Sequence, residues 1–213
     1  MVPIVSIDGP SGSGKGTIAK LLALDLGWNY LDSGLIYRCY AYLFNKKTTN
    51  IPAEIINIDH EFSKEGESIF LHGEDITDHI RSPEISMLSS ELSQKQDVRD
   101  ELFVIQKSFL KEPGLVAEGR DMSSRLFPES RVQIFLTASL EERANRRLNQ
   151  LRNHGQKVNI SELKEELSLR DRRDSERAAS PLTKTEHSIT VDNTNESVED
   201  TLKFIKKIVN ERY

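Results

Sequence analysis

The chain has 213 residues, of which 37% are hydrophobic and 30% charged, with a net charge of −5 and one cysteine, Cys39. This size suits one domain that carries an insertion. The acidic balance argues against a general binder of nucleic acids or acidic membranes, which needs surplus basic charge. A single cysteine excludes an intrachain disulfide and a cysteine-rich metal site. We therefore expect a cytoplasmic protein with a buried thiol, and neither a signal peptide nor a membrane span.

The first predicted unit is a strand, a glycine-rich loop and an amphipathic helix. The strand covers Val2–Ile7 and the helix Lys15–Leu26. The connecting residues Gly9–Thr17 fit the phosphate-loop pattern G-x-x-x-x-G-K-[ST], except that Gly16 stands where Ser or Thr is expected and Thr17 follows it. Glycines let backbone N–H groups turn around phosphate oxygens, and a helix N-terminus favours anions. The unit therefore predicts a nucleotide-phosphate site rather than a turn that binds nothing.

Each residue of this loop is a candidate ligand for nucleotide phosphates. Lys15 supplies a mobile ammonium for the outer phosphates, and Thr17 is the nearest hydroxyl for a magnesium ion. The candidate ATP-binding residues are Gly9, Pro10, Ser11, Gly12, Ser13, Gly14, Lys15, Gly16 and Thr17.

A second motif, Leu-Asp-Ser-Gly-Leu-Ile-Tyr-Arg, follows a short predicted strand at Asn29–Leu31. Ser33 is a suitable N-cap for a helix over 34–44. Arg38 lies one helical turn after Gly34 and can point along the same cleft as Ser33. It would hold a phosphate there, or it is an ordinary solvated arginine.

The pattern changes between Lys46 and Ser82, where we predict an inserted small lobe. Its elements are a weak helix over Ala53–Ser63 and short strands at Ser68–Leu71 and Asp75–Ile80, around a turn at His72-Gly73.

The alternation of strands and helices then resumes. Gly155 and Asn159 bracket a turn between two of the helices. Five core strands with flanking helices predict an α/β fold around a five-stranded parallel central sheet. The remaining predicted elements are helices at Pro83–Ser93 and Asp97–Lys111, strands at Leu115–Glu118 and Val132–Leu136, helices at Leu140–Asn153 and Ser161–Glu176, a strand at Ser188–Val191 and a helix at Glu196–Glu211.

A third motif, Ala-Glu-Gly-Arg-Asp at 117–121, directly follows a core strand. Three charged residues there are costly to bury unless they face a wet cleft. Glu118 can hold a magnesium ion through water. Arg120 can bind a phosphate with its guanidinium fork, and Asp121 suits an amino group because a carboxylate only accepts hydrogen bonds. The alternative is a charged loop with local salt bridges.

A fourth signal is an arginine-rich helical hairpin over 143–177. Arg170, Asp174 and Arg177 share helical spacing beyond an apolar stripe, so this face points at something polar. Mobile cations of this kind suit phosphoryl transfer, and the hairpin would act as a closing lid. A solvated hairpin with no catalytic part is the alternative. The preceding helix contributes Arg143, Arg146 and Arg147.

With these motifs in place, the chain resembles the bacterial cytidylate kinases, which are nucleoside-monophosphate kinases. The resemblance covers nearly the whole chain and implies a P-loop kinase three-layer sandwich with an inserted NMP-binding lobe and a helical lid. It rests on six segments in the family's order: IDGPSGSGKGT (7–17), LDSGLIYR (31–38), GEDITDHIR (73–81), DVR (97–99), PGLVAEGRDM (113–122) and RDRRDSERAASPL (170–182).

The resemblance also implies the reaction and the domain organisation. ATP, with Mg²⁺, would phosphorylate CMP or dCMP, so small nucleotides are the expected partners, and a monomer is the default. The single domain would have a core over about 1–37, 97–142 and 178–213, an NMP-binding lobe over about 38–96 and a lid over about 143–177.

Roles carried over residue by residue divide into three groups. The implied catalytic residues are Lys15, Arg120 and Arg170. The implied substrate-binding residues are Arg38, Arg120 and Arg170 on the CMP phosphate, Ser33, Ser90, Arg99 and Asp121 around the cytosine, and Asp174 and Arg177 on the sugar side. The implied metal residues are Thr17, and Glu118 through water.

The hydrogen-bonding pattern of cytosine agrees with these residue types. Asp121 suits the amino group, and Arg99, which only donates, suits the ring acceptors. A mismatched buried polar pair costs about 1–3 kcal/mol, so CMP should be preferred to UMP roughly ten- to a hundredfold.

The chain also departs from the expected family pattern. Ser123-Ser124 stands where Gly-Thr is expected, so the loop that follows can differ in shape. Glu118 replaces the usual Asp, and Thr137 stands where Asp is common.

Two rival functions remain open. One is a P-loop kinase for another acceptor, such as AMP, UMP or shikimate. The other is a nucleotide-dependent switch, although the Asn-Lys-Lys-Thr at 45–48 lacks the final Asp of the guanine-reading Asn-Lys-x-Asp motif.

Overall fold

The computed structural model describes residues 2–64, 66–153 and 158–213. Within this part of the chain, five strands form one parallel sheet and three form a small antiparallel sheet. The strands are β1 (Ile4–Asp8), β2 (Asn29–Asp32), β3 (Ile58–Phe62), β4 (Glu67–Leu71), β5 (Glu74–Asp75), β6 (Leu115–Gly119), β7 (Val132–Thr137) and β8 (Ile189–Asp192).

Helices connect these strands. A single π-helical turn at Met122–Leu126 follows β6. The α-helices are α1 (Lys15–Leu26), α2 (Ser33–Asn45), α3 (Ile51–Ile55), α4 (Thr77–Arg81), α5 (Pro83–Leu92), α6 (Gln96–Lys107), α7 (Leu140–Asn153), α8 (Ile160–Glu176) and α9 (Val198–Arg212).

The central sheet has the strand order β2-β6-β1-β7-β8, and all its pairings are parallel. Asp8 at the end of β1 lies opposite Gly119 of β6, and Asp32 at the end of β2 lies opposite Glu118. The three carboxyl ends therefore meet at one edge of the sheet, which is where open α/β sheets place ligands.

Each face of the central sheet carries its own hydrophobic cluster. Leu31 and Ala117 point into a cluster that includes residues of α2 and α6, whereas Val116 and Ile134 point into a cluster with residues of α1 and α9. Successive strand residues face opposite sides, so both faces of the sheet are covered by helices. The prediction of an α/β three-layer sandwich with a five-stranded parallel sheet is confirmed.

The prediction that Ser33 caps α2 is wrong. The N-cap is Asp32, whose carboxylate accepts a hydrogen bond from the Leu35 N–H at 2.7 Å. Ser33 is the first helical residue, and its hydroxyl donates to Gln106 Oε1 at 2.7 Å. The single cysteine, Cys39, is fully buried on this helix, as expected, and burial raises the pKa of its thiol to about 12.

The inserted segment differs most from the sequence prediction. The helix expected over Ala53–Ser63 is instead the short α3 followed by β3, because β3 packs its aromatic rings against the core. The Phe62 and His60 rings lie 5.1 and 5.8 Å from the Tyr30 ring. Partners distant in sequence have decided the local structure here.

The strand expected over Asp75–Ile80 is also wrong, because β5 ends at Asp75 and α4 begins at Thr77. The Asp75 carboxylate accepts the Thr77 N–H at 2.9 Å, which turns the chain into the helix. The turn at His72-Gly73 is confirmed, with φ values of +51° and +81°.

The last three helices agree with their predicted positions within two residues. α7 has the predicted bounds, and Asn159 caps α8 by accepting the Ser161 N–H at 2.9 Å. The predicted turn residue Gly155 lies outside the described residues. Val198 is half exposed, so it is not part of the buried stripe predicted for α9. In the described ranges, no helix is long and apolar enough to cross a membrane.

Candidate active site

The loop between β1 and α1 needs glycine at three positions. Gly9, Gly12 and Gly14 have φ values of +153°, +76° and +90°, which disfavour residues with a side chain. A Cβ on Gly9 would also collide with the carbonyl oxygen of Leu136. Gly14 is the N-cap of α1, so the loop leads directly into the positive end of that helix.

Two arginines of α7 donate hydrogen bonds to main-chain carbonyls of the phosphate loop. Arg143 donates to the Ser11 carbonyl at 2.9 Å, and Arg146 donates to the Ser13 carbonyl at 3.3 Å. Asn193, which follows β8, also donates to the Ser13 carbonyl at 3.0 Å. These arginines were predicted to belong to a lid, and here they hold main-chain carbonyls of the nucleotide loop.

Lys15 lies buried at the start of α1, and its ammonium donates to the Pro10 carbonyl at 2.9 Å. Burial, reinforced by the neighbouring Arg120 guanidinium, lowers the pKa of Lys15 to about 7. A nucleotide phosphate would compensate both effects, because it supplies the missing counter-charge. Thr17 is exposed in the first turn of the helix.

Two carboxylates meet at the ends of β2 and β6. Glu118 is buried, and burial, followed by repulsion from the Asp32 carboxylate, raises the pKa of Glu118. Asp32 also pairs with Arg38 at 3.2 Å. A hard divalent cation bound to the carboxylate oxygens would offset this burial and repulsion, so the two oxygen donors fit magnesium.

Three arginines approach the same strand ends from different elements. Arg38 comes from α2, Arg120 from the segment after β6 and Arg170 from α8. The Nε atoms of Arg38 and Arg170 are buried, and neither has a hydrogen-bond acceptor in the described part of the chain. Burial and the neighbouring Arg120 lower the pKa of Arg170 to about 10. Such a cluster of cations is stabilised by an anion.

Asp174 of α8 is the carboxylate partner of this cluster. Arg120 donates to Asp174 Oδ2 from its Nε at 2.7 Å. Burial alone would raise the pKa of Asp174, but the guanidiniums of Arg120, Arg170 and Arg177 together lower the pKa overall. Arg177 lies beyond Asp174, and its Nε donates to the Ser180 carbonyl at 2.7 Å.

Arg99 and Asp121, predicted to contact the ring acceptors and the amino group of cytosine, form a buried ion pair with each other. Arg99 also donates to the Ser93 carbonyl at 2.9 Å, and its guanidinium lies 5.6 Å from the centre of the Tyr37 ring. Ser90 is buried on α5, and in the described structure no hydrogen bond joins its side chain to this ion pair.

Several residues of the site were not singled out from the sequence. They include Asp8, Asp32, Gln106, Asp171 and Asn193. Asp32 stands inside a recognised motif and has the residue type of a helix cap, so that signal was present. The others make contacts that depend on distant parts of the chain, such as the 2.7 Å ion pair between Asp171 and Arg143.

Comparison with known proteins decides the family. Residues 5–211 match the family model for cytidylate kinase. The chain belongs to the cytidylate kinase family. It is 44% identical to the cytidylate kinase of Stutzerimonas stutzeri (strain A1501), over 99% of this chain and 96% of that protein. It is also 44% identical to the cytidylate kinase of Pseudomonas aeruginosa (strain LESB58), over 96% of this chain and 93% of the relative.

Among solved structures, an uncharacterized protein from Eubacterium ventriosum ATCC 27560 is similar in fold. The superposition covers 100% of both chains, with a TM-score of 0.56 and 14% sequence identity. At that identity the similarity concerns the fold alone.

Proposed function

We propose that this cytidylate kinase family member transfers the γ-phosphoryl group of ATP to CMP or dCMP and releases CDP or dCDP, a step of pyrimidine nucleotide metabolism. The observation that carries the proposal is a cluster of four cations, one buried and three half-buried, between the phosphate loop and the Arg99–Asp121 pair. The cluster consists of Lys15, Arg38, Arg120 and Arg170. It lies where a donor phosphate and an acceptor phosphate would meet.

On the donor side, the phosphate loop binds ATP through backbone N–H groups of Gly9–Thr17. Lys15 exchanges its bond to the Pro10 carbonyl for the outer phosphates of ATP, and its charge offsets the charge on the transferred group. Glu118, through water, and the Thr17 hydroxyl would hold magnesium. The ion would neutralise phosphate charge there.

On the acceptor side, Arg38, Arg120 and Arg170 bind the phosphate of CMP. The acceptor is already an anionic phosphate oxygen, so no side chain has to remove a proton. The chain therefore contributes in-line positioning and charge neutralisation. Arg120 gives up its bond to Asp174 or shares it when the phosphate arrives.

The base of the acceptor would be recognised by the Arg99–Asp121 pair with Ser33 and Ser90. The Asp121 carboxylate accepts from the cytosine amino group, and Arg99 donates to the ring acceptors. Asp174 and Arg177 face the sugar. Uracil carries a carbonyl in place of the amino group, which would face the carboxylate unfavourably.

We also infer the division into a core, an NMP-binding lobe at 38–96 and a lid at 143–177. The small antiparallel sheet of β3, β4 and β5 supports a separate lobe. The ion pair of Asp174 on α8 with Arg120, which follows β6, supports a helix that closes over the site.

The test is ADP release from ATP and magnesium with CMP, dCMP, UMP, AMP, shikimate or no acceptor. We expect rapid turnover with CMP and dCMP, and UMP at least about tenfold slower in kcat/KM. Turnover with AMP or shikimate instead would overturn the acceptor site and leave a P-loop kinase. Tight nucleotide binding without acceptor-dependent turnover would support a switch.

A further inference from the structure

Asp8 is a buried carboxylate between the two nucleotide loops that the mechanism above does not use. It is the last residue of β1, directly before the phosphate loop, and it is only 2% exposed. Its two oxygens accept consecutive backbone N–H groups, Met122 to Oδ1 and Ser123 to Oδ2, both at 2.8 Å. The carboxylate therefore bonds to the chain that leaves β6, not to its own loop.

These two bonds close a very short span. Asp8 pairs with Gly119 in the sheet, which fixes the start of the segment. The Met122 and Ser123 amides fix its end. The two residues between these anchors are Arg120 and Asp121. A segment of two residues anchored at both ends has few ways to point its side chains.

The span is also closely packed. A Cβ on Gly119 would lie 2.7 Å from the Met122 side chain and 3.1 Å from Cβ of Ser33. Beneath it, the Ser123 and Ser6 hydroxyls lie 3.0 Å apart and are buried. Ser123 is one of the two residues that depart from the expected family pattern, and its hydroxyl here adds a second tie to β1.

We propose that Asp8 is a positioning residue that fixes where Arg120 and Asp121 meet the acceptor nucleotide, an inference that rests on the proposed function. It touches neither substrate nor the reacting atoms. It acts through the backbone of Met122 and Ser123. Asp8 thereby joins the strand that begins the ATP loop to the segment that reads the acceptor.

The effect of Asp8 should fall mainly on the acceptor. The phosphate loop has its own anchors, because Arg143 holds the Ser11 carbonyl while Arg146 and Asn193 hold the Ser13 carbonyl. The segment after β6 has the Asp8 carboxylate in that role. Loss of the carboxylate should therefore disturb acceptor recognition more than ATP binding.

The test is Asp8→Asn, which keeps the size of the side chain. The amide has one acceptor oxygen, and its NH₂ group would face a backbone N–H, so one of the two bonds becomes a donor–donor contact. We expect kcat/KM for CMP to fall about thirtyfold, the CMP/UMP preference to fall about tenfold, and KM for ATP to change less than about threefold. The control is Asp75→Asn, another strand-end carboxylate that accepts a backbone N–H but lies in the small sheet. It should retain wild-type kinetics.

Amide hydrogen exchange supplies a readout that does not need activity. Met122 and Ser123 should be protected in the ligand-free wild type, and at least one should lose protection in Asp8→Asn. If Asp8→Asn does not fold, Asp8→Ser, whose shorter side chain can accept at most one of the two bonds, takes its place. A folded Asp8 variant with the wild-type CMP/UMP ratio, or with equal losses for ATP and CMP, overturns the proposal.

The failure of the proposed function would look different. In that case the wild type itself would not phosphorylate CMP, and the proposed role of Asp8 in positioning residues toward CMP would also be wrong. The exchange measurement would still decide whether Asp8 anchors the segment. Protected amides in the wild type together with unchanged protection in a folded Asp8 variant would show that the anchor lies elsewhere.

Discussion

The phosphate loop and the acceptor cluster lie side by side at the strand ends, but they are held in opposite ways. The loop is fixed through its main chain, with the Ser11 and Ser13 carbonyls bound by α7 and by Asn193. On the acceptor side, the functional side chains are instead paired with one another, Arg120 with Asp174 and Arg99 with Asp121. The backbone of the donor site is therefore in place before its ligand arrives, and Lys15 exchanges its bond to the Pro10 carbonyl. The acceptor side must exchange partners to bind anything.

The largest effect should come from Lys15, the side chain of the loop that we propose acts directly on phosphate. Lys15→Ala should lower kcat by about a thousandfold or more, because it removes a charge beside the transferred group. The fold should survive, since the buried ammonium has a lowered pKa and its loss removes an unfavourable charge. Steady-state kinetics and a melting curve check both points. Lys203→Ala, on an exposed position of α9, is the control, and near-normal kcat in Lys15→Ala would contradict the role.

The next effect should appear on the acceptor side and concern selectivity. Asp121→Asn should lower the CMP/UMP preference roughly ten- to a hundredfold, because the amide can serve either base. KM for ATP should hardly change. The variant should also be less stable, since it weakens a buried ion pair with Arg99.

The matched control for this variant is Asp100→Asn, which breaks an ion pair with Arg125 in which the Asp100 side chain is 60% exposed. That pair is a surface contact and should matter little. If Asp121→Asn kept the wild-type ratio of kcat/KM for CMP to that for UMP, the base-reading assignment would be wrong.

A smaller effect should follow from removing a contact between α7 and the phosphate loop. Arg143→Ala loses the bond to the Ser11 carbonyl and the ion pair with Asp171. KM for ATP should rise about tenfold, equivalent to about 1.4 kcal/mol, with a smaller change in KM for CMP. Arg152→Ala, an exposed arginine of the same helix, should behave as wild type. Equal increases in both KM values would show that the two sites are not held separately.

The smallest predicted effect is the uptake of a proton by Lys15 when ATP binds. Lys15 has a pKa of about 7 in the ligand-free chain, so it is mostly neutral at pH 8. Bound phosphates favour the ammonium, and ATP binding at pH 8 should therefore take up about one proton, whereas little uptake by Lys15 is expected near pH 6. Calorimetry in two buffers of different ionisation enthalpy measures this, with Lys15→Ala as the blank. The same uptake in that variant would assign the proton to another group.

The lowered pKa of Lys15 also makes the free energy of unfolding depend on pH. A lysine whose pKa is lower in the folded chain destabilises the fold while it is protonated there. The penalty is full below about pH 7 and is relieved as the pH rises toward the ordinary value of 10.5.

The contrast between the two sites also explains what sequence reasoning could predict. The phosphate loop is encoded locally, since glycine spacing, the preceding strand and the following helix all lie within Val2–Leu26. The order of the strands and helices around the central sheet follows from hydrophobic periodicity for the same reason, whereas that of the inserted segment does not. The resemblance assigned Arg99 and Asp121 to the same base, but the ion pair between them depends on contacts between α6 and the segment after β6.

Other features depend on contacts that no local pattern contains. Arg143 reaches a carbonyl 132 positions earlier in the chain, and Asp8 reaches amides more than 110 positions later. β3 was predicted as a helix because its strand character comes from packing His60 and Phe62 on Tyr30. In each case the sequence supplies the residue type and the tertiary fold supplies the partner.

Because Cys39 is buried, the rate at which its thiol reacts can report how often helix α2 opens. Its thiol is fully enclosed on α2 and has a pKa of about 12, so reagents that need an accessible thiolate should not modify the native chain. Labelling then proceeds only through molecules in which α2 has opened. Because the chain contains one cysteine, the labelling rate in mild denaturant measures that opening without any engineered probe, and added nucleotide should slow it.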